Sequence, residues 1–205
     1  MCATRYQGDV FHQAMIDDPG LAGRLARDLE GHFEQLVRTY QDRLYGFALR
    51  LTRSREEAEE CTQDTFMRAY RALERYPLQR RRELRLRPWL YQIALNVVRN
   101  RVRRSTLVAV SVDSEHANGL ASSADEQPEV VSLHAEGWAR LESALSALPA
   151  RYKTAVVLRH VQGLSYIEAA EVLDQPVGTT KSDVHRGLRL LRDALEPELV
   201  LEARN

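Results

Sequence analysis

The chain contains only two cysteines, Cys2 and Cys61, among its 205 residues. Two thiols cannot build a disulfide framework or a zinc site, and Cys61 falls on the apolar side of a predicted helix, which favours a buried thiol. The six histidines lack the spacing of metal ligands, and the chain has no glycine-rich phosphate loop or nucleophile elbow. The sequence therefore predicts that the protein is not an enzyme and that it binds no cofactor or metal.

Long apolar runs are also missing. No window is long enough to span a bilayer, and the N-terminal residues lack the apolar core of a signal peptide. With 44% hydrophobic and 28% charged residues, the composition is that of a soluble globular protein. We expect a cytoplasmic protein without membrane insertion.

The charges of the chain are balanced in number but segregated in position. Residues 75–104 hold ten arginines and a single acid, whereas residues 105–134 hold five acids and no lysine or arginine. The basic block is expected to attract phosphates, and the acidic segment to repel or imitate them.

Apolar residues at helical spacing predict a first helical bundle. The pattern indicates a helix over 30–51 and a second helix that starts at a capping box of Ser54 and Glu57. Pro77 ends the second helix, and Pro88 suits the start of a third. Ahead of this bundle, a further short helix is predicted around residues 21–29.

The third helix combines arginines with aromatic and amide residues. A basic loop over 78–87 precedes it, and the apolar spacing places Trp89 and Val102 on its inner side. Arginines with aromatic rings and amides suit phosphate neutralisation together with stacking on exposed bases. A solvated basic face with Trp89 in the core is the alternative interpretation.

A second bundle is predicted to end in a helix-turn-helix. Its periodicity begins near Leu133 with a helix carrying Trp138, and Pro149 opens another helix. Ser165 and Glu168 form a capping box at the start of the first motif helix. The turn between the motif helices is 174–178, in which Pro176 cannot continue a helix.

The second motif helix is polar and basic on the side that would enter a major groove. Thr179 or Thr180 is expected to cap it, and its inner side is predicted to carry Val184, Leu188 and Leu191. An ordinary hairpin with a solvated face is the alternative. Since no strand pattern is convincing, the sequence predicts an all-α fold of two small bundles joined by a flexible acidic linker.

Several segments in order resemble the extracytoplasmic-function group of the bacterial sigma-70 family, over about residues 30–195. The segments that carry the resemblance are 33–45, 49–52, 56–70 and 88–96 for conserved region 2, and 148–152, 158–159, 163–166, 170–171 and 176–182 for conserved region 4. The resemblance implies a dissociable subunit that binds bacterial core RNA polymerase and directs it to promoter DNA. It leaves the existence of an anti-sigma partner open.

The resemblance also implies a division of the chain and a role for named residues. The expected divisions are an N-terminal extension (1–27), region 2 (28–104), a linker (105–133) and region 4 (134–205). Residues expected to bind core polymerase are Glu60, Gln63, Asp64 and Arg68. Residues expected to bind the −10 element are Arg80, Arg81, Arg82, Arg87, Trp89, Asn96, Arg99, Asn100, Arg103 and Arg104. Residues expected to bind the −35 element are Thr179, Thr180, Lys181, Ser182, Asp183, His185, Arg186 and Arg189.

Two acidic residues depart from the family pattern. Asp174 replaces the usual turn glycine, but Asp tolerates the left-handed conformation, so the turn is expected to survive. Asp183 stands where a basic residue is common, and we expect its carboxylate to face the groove and accept a hydrogen bond from a cytosine amine.

The predicted linker is long enough for two separated contacts. Promoter elements two DNA turns apart are separated by roughly 70 Å, whereas a bundle of this size has a radius of gyration of about 11 Å. Some thirty extended residues could reach about 100 Å. One bundle cannot contact both elements, but two linked bundles can.

Two other functions compete with that of a sigma factor. A stand-alone helix-turn-helix regulator would bind duplex DNA without polymerase. A sigma-like decoy would sequester an anti-sigma factor without binding DNA. The basic loop, Lys181 and Arg186 argue against a decoy, which has no need of them.

Overall fold

The structure, a computed structural model, describes residues 20–112 and 133–202 and contains nine α-helices and no strand within these ranges. The front bundle comprises α1 (Leu21–Arg27), α2 (Leu29–Thr52), α3 (Arg55–Arg75), α4 (Leu78–Arg82) and α5 (Leu86–Val112). The rear bundle comprises α6 (Leu133–Ala147), α7 (Ala150–Val156) with a π-helical continuation (Val157–Val161), α8 (Tyr166–Leu173) and α9 (Val177–Glu202). The predicted all-α fold is confirmed. Cys2 and residues 113–132 of the predicted linker lie outside the described residues.

An aromatic core holds α2, α3 and α5 together. The rings of Phe47 and Tyr91 meet edge to face with centroids 5.3 Å apart, an arrangement that aromatic quadrupoles favour. Cys61 is buried as predicted, and burial raises the pKa of its thiol. The hydroxyl half of the predicted capping box is present, because Ser54 accepts a hydrogen bond from the Glu57 N–H.

The short helix predicted near residue 21 is present as α1. Leu21 and Leu25 are buried where α1 packs against α2 and α4. Asp28 separates α1 from α2, and its side chain caps α2 by accepting a hydrogen bond from the Gly31 N–H at 2.9 Å. A segment of the predicted N-terminal extension thus packs on the front bundle.

Three helix boundaries in the front bundle differ from the prediction. The basic loop contains a short helix, α4, and α5 begins before Pro88, at Leu86. Pro88 therefore lies in the first turn, where a missing N–H costs little. At its other end α5 continues into the predicted linker as far as Val112. Extending an existing helix costs much less free energy than nucleating one, even through β-branched residues.

A close helix contact explains which side of α9 is buried. A Cβ atom at Gly187 would lie 2.5 Å from Cγ2 of Val156, so α9 approaches α7 at this glycine. Val184 and Leu191 lie on the same side of α9 as Gly187 and are buried, as predicted. Leu188 lies off that side and is 36% exposed, so its predicted inner position is wrong.

The inner position predicted for Val102 is wrong as well, since its side chain is 41% exposed.

The two bundles pack on each other through α5 and α8. One continuous apolar cluster includes Leu86 and Leu90 of α5 together with Leu164, Ala169 and Val172 of the rear bundle. An ion pair between Arg50 of α2 and Glu142 of α6, with 2.8 Å between Nη2 and Oε1, adds a second bridge. One apolar core thus extends across both bundles.

Candidate nucleic-acid interfaces

The helix-turn-helix of the rear bundle is built as its sequence predicts. Ser165 and Glu168 form the reciprocal capping box that starts α8. Hydrogen bonds from Ser165 and the charges of Arg87 and Arg85 lower the pKa of Glu168 although burial raises it. Asp174 adopts the left-handed conformation with φ of 52°, which confirms that Asp can replace glycine in this turn.

One outward face of α9 carries most of the side chains predicted to contact the −35 element. The exposed members of this set are Lys181, Ser182, His185, Arg186 and Arg189. Their spacing of one, three and four residues places them on one side of the helix. The Lys181 ammonium lies 5.7 Å from the centre of the Tyr166 ring. This cation–π contact orients the lysine side chain at the start of the face. The face offers several donors to phosphates and to base acceptors.

The structure removes two residues from this face. Asp183 is 1% exposed, and its Oδ2 accepts hydrogen bonds from Nε of Arg151 at 2.8 Å and Nε2 of Gln175 at 3.2 Å. Thr180 is fully buried and donates from Oγ1 to the Pro176 carbonyl. The prediction that they contact DNA is wrong, because both lie on the side of α9 that packs inward.

The helix start also differs from the prediction. Because α9 begins at Val177, directly after Pro176, neither Thr179 nor Thr180 precedes the helix as its cap. Thr179 is half-buried in the first turn. It keeps the predicted proximity to the helix N-terminus, where phosphates bind.

The arginines between α3 and α5 differ in how far they are engaged within the protein. The Arg80 guanidinium lies 3.9 Å from the centre of the Tyr76 ring. The centroids of the Tyr76 and half-buried Trp89 rings are 6.1 Å apart. Arg81 donates from Nε to the Tyr76 carbonyl and from Nη2 to the Glu74 carbonyl, both at 3.0 Å. It therefore satisfies the end of α3, whereas Arg82 is exposed.

Arg87 does not face solvent as the prediction requires. Its side chain is buried, and Nη2 donates to the Gln162 carbonyl of the rear bundle at 2.5 Å. Arg85, which the sequence prediction missed, pairs with Glu171 at 2.5 Å and with Glu168 at 3.8 Å. In this arrangement both arginines hold the bundles together.

The outer side of α5 carries the remaining residues predicted to contact the −10 element. Asn100 is half-buried, and the exposed members are Asn96, Arg99, Arg103 and Arg104. Together with Trp89 these residues recur at spacings of seven, three and four, so they follow one side of the helix. An aromatic ring, two amides and several cations on one face suit a single strand better than a groove.

The residues predicted to contact polymerase lie along the outer side of α3. The exposed set is Glu60, Gln63, Asp64 and Arg68. Glu60 pairs with Arg101 of α5, and Asp64 lies 3.8 Å from Arg68. Met67 lies beside them on α3, and its half-exposed side chain adds an apolar group to this surface that the sequence prediction missed. The helical spacing of the sequence could have identified it, because Met67 falls outside the buried apolar stripe of α3 and among the polar residues of its outer side.

Two other site classes find no support within the described ranges. No group of three or more His, Cys, Asp or Glu side chains there lies close enough to hold a metal ion. No helix in the same ranges is long and apolar enough to cross a bilayer.

The sequence matches two protein-family models in the order of the two bundles. Residues 36–107 match Sigma-70 region 2, and residues 138–191 match Sigma-70, region 4. The RNA polymerase sigma-H factor of Pseudomonas aeruginosa is 34% identical over 188 residues, covering 89% of this chain and 95% of the relative. The chain belongs to the sigma-70 family. It is an RNA polymerase sigma factor of the extracytoplasmic-function group.

The chain is also similar to two further sigma factors and to two solved structures. SigW of Bacillus subtilis is 32% identical over 80% of this chain and 88% of its own length. SigE of Mycolicibacterium smegmatis is 34% identical over 80% of this chain but only 61% of its own length. The sigma factor RpoE of Bartonella quintana, solved with the anti-sigma factor NepR, has a TM-score of 0.63 and 25% identity over 80% of this chain and 96% of that chain. CnrH, solved with the cytosolic domain of CnrY, has a TM-score of 0.62 and 25% identity over 88% of this chain and 97% of its own.

Proposed function

We propose that this sigma factor brings core RNA polymerase to promoters by using its two bundles on different forms of DNA. Region 4 reads the −35 duplex through the donor-rich face of α9. Region 2 captures a displaced strand of the −10 element along the outer side of α5. The observation that carries this proposal is the presence, in one chain, of a helix-turn-helix basic face and a second face that combines Trp89, Asn96 and Arg99.

The energetics of the two contacts differ. Pulling a base out of the stack costs a few kcal/mol, which stacking and phosphate neutralisation must offset. Asn96 and Arg82 are exposed, each seven positions from the half-buried Trp89 in the sequence, and can supply amide and charge contacts. On the duplex, each good base contact by α9 contributes about 1–3 kcal/mol of discrimination.

The outer side of α3 is the proposed polymerase contact. Glu60, Gln63 and Asp64 present polar groups around the exposed Met67. An apolar centre with a polar rim is the usual composition of a protein interface. Because a similar sigma factor was solved with an anti-sigma factor, we also propose an anti-sigma factor as a partner, and a cytoplasmic location with the polymerase.

Reading both elements requires the bundles to separate. Even 205 residues packed as one body have a radius of gyration of about 17 Å, which cannot span the roughly 70 Å between elements two DNA turns apart. The contacts of Arg85 and Arg87 with region 4 must therefore be given up on the promoter. On the promoter, Arg85 and Arg87 then become available to contact the DNA strand that region 2 captures.

Reconstitution with a bacterial core polymerase tests the proposal. The full chain and core enzyme are mixed with genomic DNA, and transcription starts are mapped. We expect starts at defined sites that share two upstream motifs. A chain that binds duplex DNA tightly without polymerase would instead be a stand-alone regulator, and one that binds an anti-sigma factor but neither DNA nor core enzyme would be a decoy.

A further inference from the structure

A polar bridge lies beneath the recognition helix and joins three elements of region 4. Arg151 of α7, Gln175 of the turn and Asp183 of α9 meet at one carboxylate oxygen, Oδ2 of Asp183. The same Gln175 amide also donates to Oγ1 of Thr180 at 3.1 Å. Asp183 is 1% exposed, whereas Arg151 is largely exposed. The bridge thus connects a buried anion on α9 to a cation at the surface.

The burial of Asp183 makes this geometry demanding. A buried carboxylate is destabilising unless hydrogen bonds and an opposite charge compensate it. Its second oxygen, Oδ1, is buried without a hydrogen-bond partner among the described residues. Compensation therefore depends on the two donors at Oδ2, and such charge-assisted bonds restrict distance and direction. The carboxylate in turn raises the pKa of the Arg151 guanidinium.

The position of the bridge couples it to the outward face of α9. Asp183 follows Ser182 directly and lies three residues before Arg186, so these side chains leave the same helical turn in different directions. A rotation of α9 about its axis that relaxes the bridge must also move the outward face. At Gly187 the two helices α9 and α7 approach so closely that a Cβ atom there would lie 2.5 Å from Cγ2 of Val156, so no side chain of α9 stands between them at this point.

We infer that the Arg151–Asp183–Gln175 bridge is a positioning device that sets the rotation of α9 and thereby the sequence preference of region 4 for the upstream promoter element. This inference rests on the proposed function. Asp183 acts from inside the protein, through the helix that carries Lys181 and Arg186. The acidic residue therefore specifies the orientation of the reading face without contacting a base.

The test uses the full chain bound to core polymerase and a promoter library randomised over the upstream element. Asp183→Ala removes the anion, Arg151→Gln removes its surface partner, and Asp183→Asn keeps an oxygen that can accept both bonds. Arg38→Ala is the matched control, because its ion pair with Glu34 is exposed on α2 and far from the reading face in sequence. Bound sequences and the thermal midpoint of each chain are measured.

The expected result separates orientation from stability. Asp183→Ala and Arg151→Gln should lower the preference for the wild-type upstream sequence over its alternatives by about tenfold, the loss of one good base contact. Asp183→Asn should retain most of the preference, and Arg38→Ala all of it. The double variant Arg151→Gln with Asp183→Asn should lose no more than Arg151→Gln alone, because both residues belong to one bridge.

The outcomes also distinguish this inference from the proposed function. If the wild-type chain starts transcription at defined sites while Arg151→Gln keeps the wild-type upstream preference, the bridge does not position α9 and the inference is wrong. Arg151→Gln leaves the Gln175 donor at Oδ2, and its thermal midpoint shows whether the chain is folded, so this variant remains informative even if Asp183→Ala fails to fold. If the wild-type chain fails to start transcription at all, it is the proposed function that fails.

Discussion

Regions 2 and 4 both carry many cations, but they use them differently. Within the part of the chain that the structure describes, five of the ten arginines in the stretch 75–104 of region 2 contact other residues. These engaged residues are Arg80, Arg81, Arg85, Arg87 and Arg101. On the outward face of α9 in region 4, by contrast, Arg186 and Arg189 are exposed to solvent.

This difference shows that the number of arginines does not measure a DNA surface. An arginine at a helix end or a bundle interface satisfies carbonyls and carboxylates, because its planar fork suits several acceptors at once. Only an exposed arginine that is not engaged in such contacts is immediately available to phosphate or base. Region 4 therefore presents its proposed reading face as it stands, whereas part of the proposed region 2 surface would become available only when the bundles separate.

The largest expected effect comes from the exposed set of region 4. Arg186→Ala should weaken discrimination at the −35 element by about 1–3 kcal/mol without changing the urea midpoint of the chain. Arg192→Ala is the control, since this arginine lies on the same helix but pairs with Glu196 at 3.7 Å. Competition binding of the polymerase complex to intact and scrambled upstream elements measures both. Equal losses for the two variants would contradict a specific reading face.

A neighbouring pair in region 2 tests whether engaged and exposed arginines differ in role. Arg81→Ala should destabilise the chain by about 1–2 kcal/mol, because two carbonyls at the end of α3 lose a charged donor. Arg82→Ala should leave stability unchanged and lower the salt slope of promoter binding by about one. Urea unfolding and salt titration measure the two effects. A reversed pattern would mean that we have exchanged their roles.

The contact between the bundles should respond to charge reversal at Arg85. Arg85→Glu would face Glu168 and Glu171, and since the pair is about half exposed we expect a weakening of about 0.2–1 kcal/mol. The radius of gyration in small-angle scattering should increase, and Glu171→Arg in the same chain should restore it. An unchanged radius in the single variant would show that the apolar cluster alone holds the bundles.

The smallest effect is a pH dependence of the start of α8. The pKa of Glu168 is lowered from its ordinary value of 4.5, so its charged form stabilises the folded state above that value. This contribution should be lost as the pH falls from about 4.5 through the lower folded pKa. The protection of the Ser165 amide against hydrogen exchange, taken relative to its intrinsic rate at each pH, should decrease as the pH falls through that window. Glu168→Gln should make this protection nearly independent of pH.

Local features of the fold could be predicted from the sequence. Apolar spacing identified the helices, Ser165 and Glu168 identified the start of α8, and the chemistry of Asp174 identified its turn. Each of these depends on residues a few positions apart. The same spacing predicted two bundles, and the family resemblance assigned them to regions 2 and 4.

Contacts between distant residues could not be predicted in this way. The burial of Asp183 depends on Arg151, 32 positions away, and the exposure of Leu188 depends on the approach of α9 to α7 at Gly187. The engagement of Arg87 depends on Gln162, 75 positions away. Helical spacing alone cannot tell a residue that faces a groove from one that faces another helix.

The distance between the two bundles tests the central claim most directly. Labels at Arg38→Cys and Asp193→Cys, in a chain whose own two cysteines are replaced by alanine, allow this distance to be measured by pulsed electron spin resonance. In the free chain we expect one short distance, and in a promoter complex that initiates transcription a shift toward the roughly 70 Å between elements two DNA turns apart. A complex that initiates transcription with the free-chain distance unchanged would contradict the account.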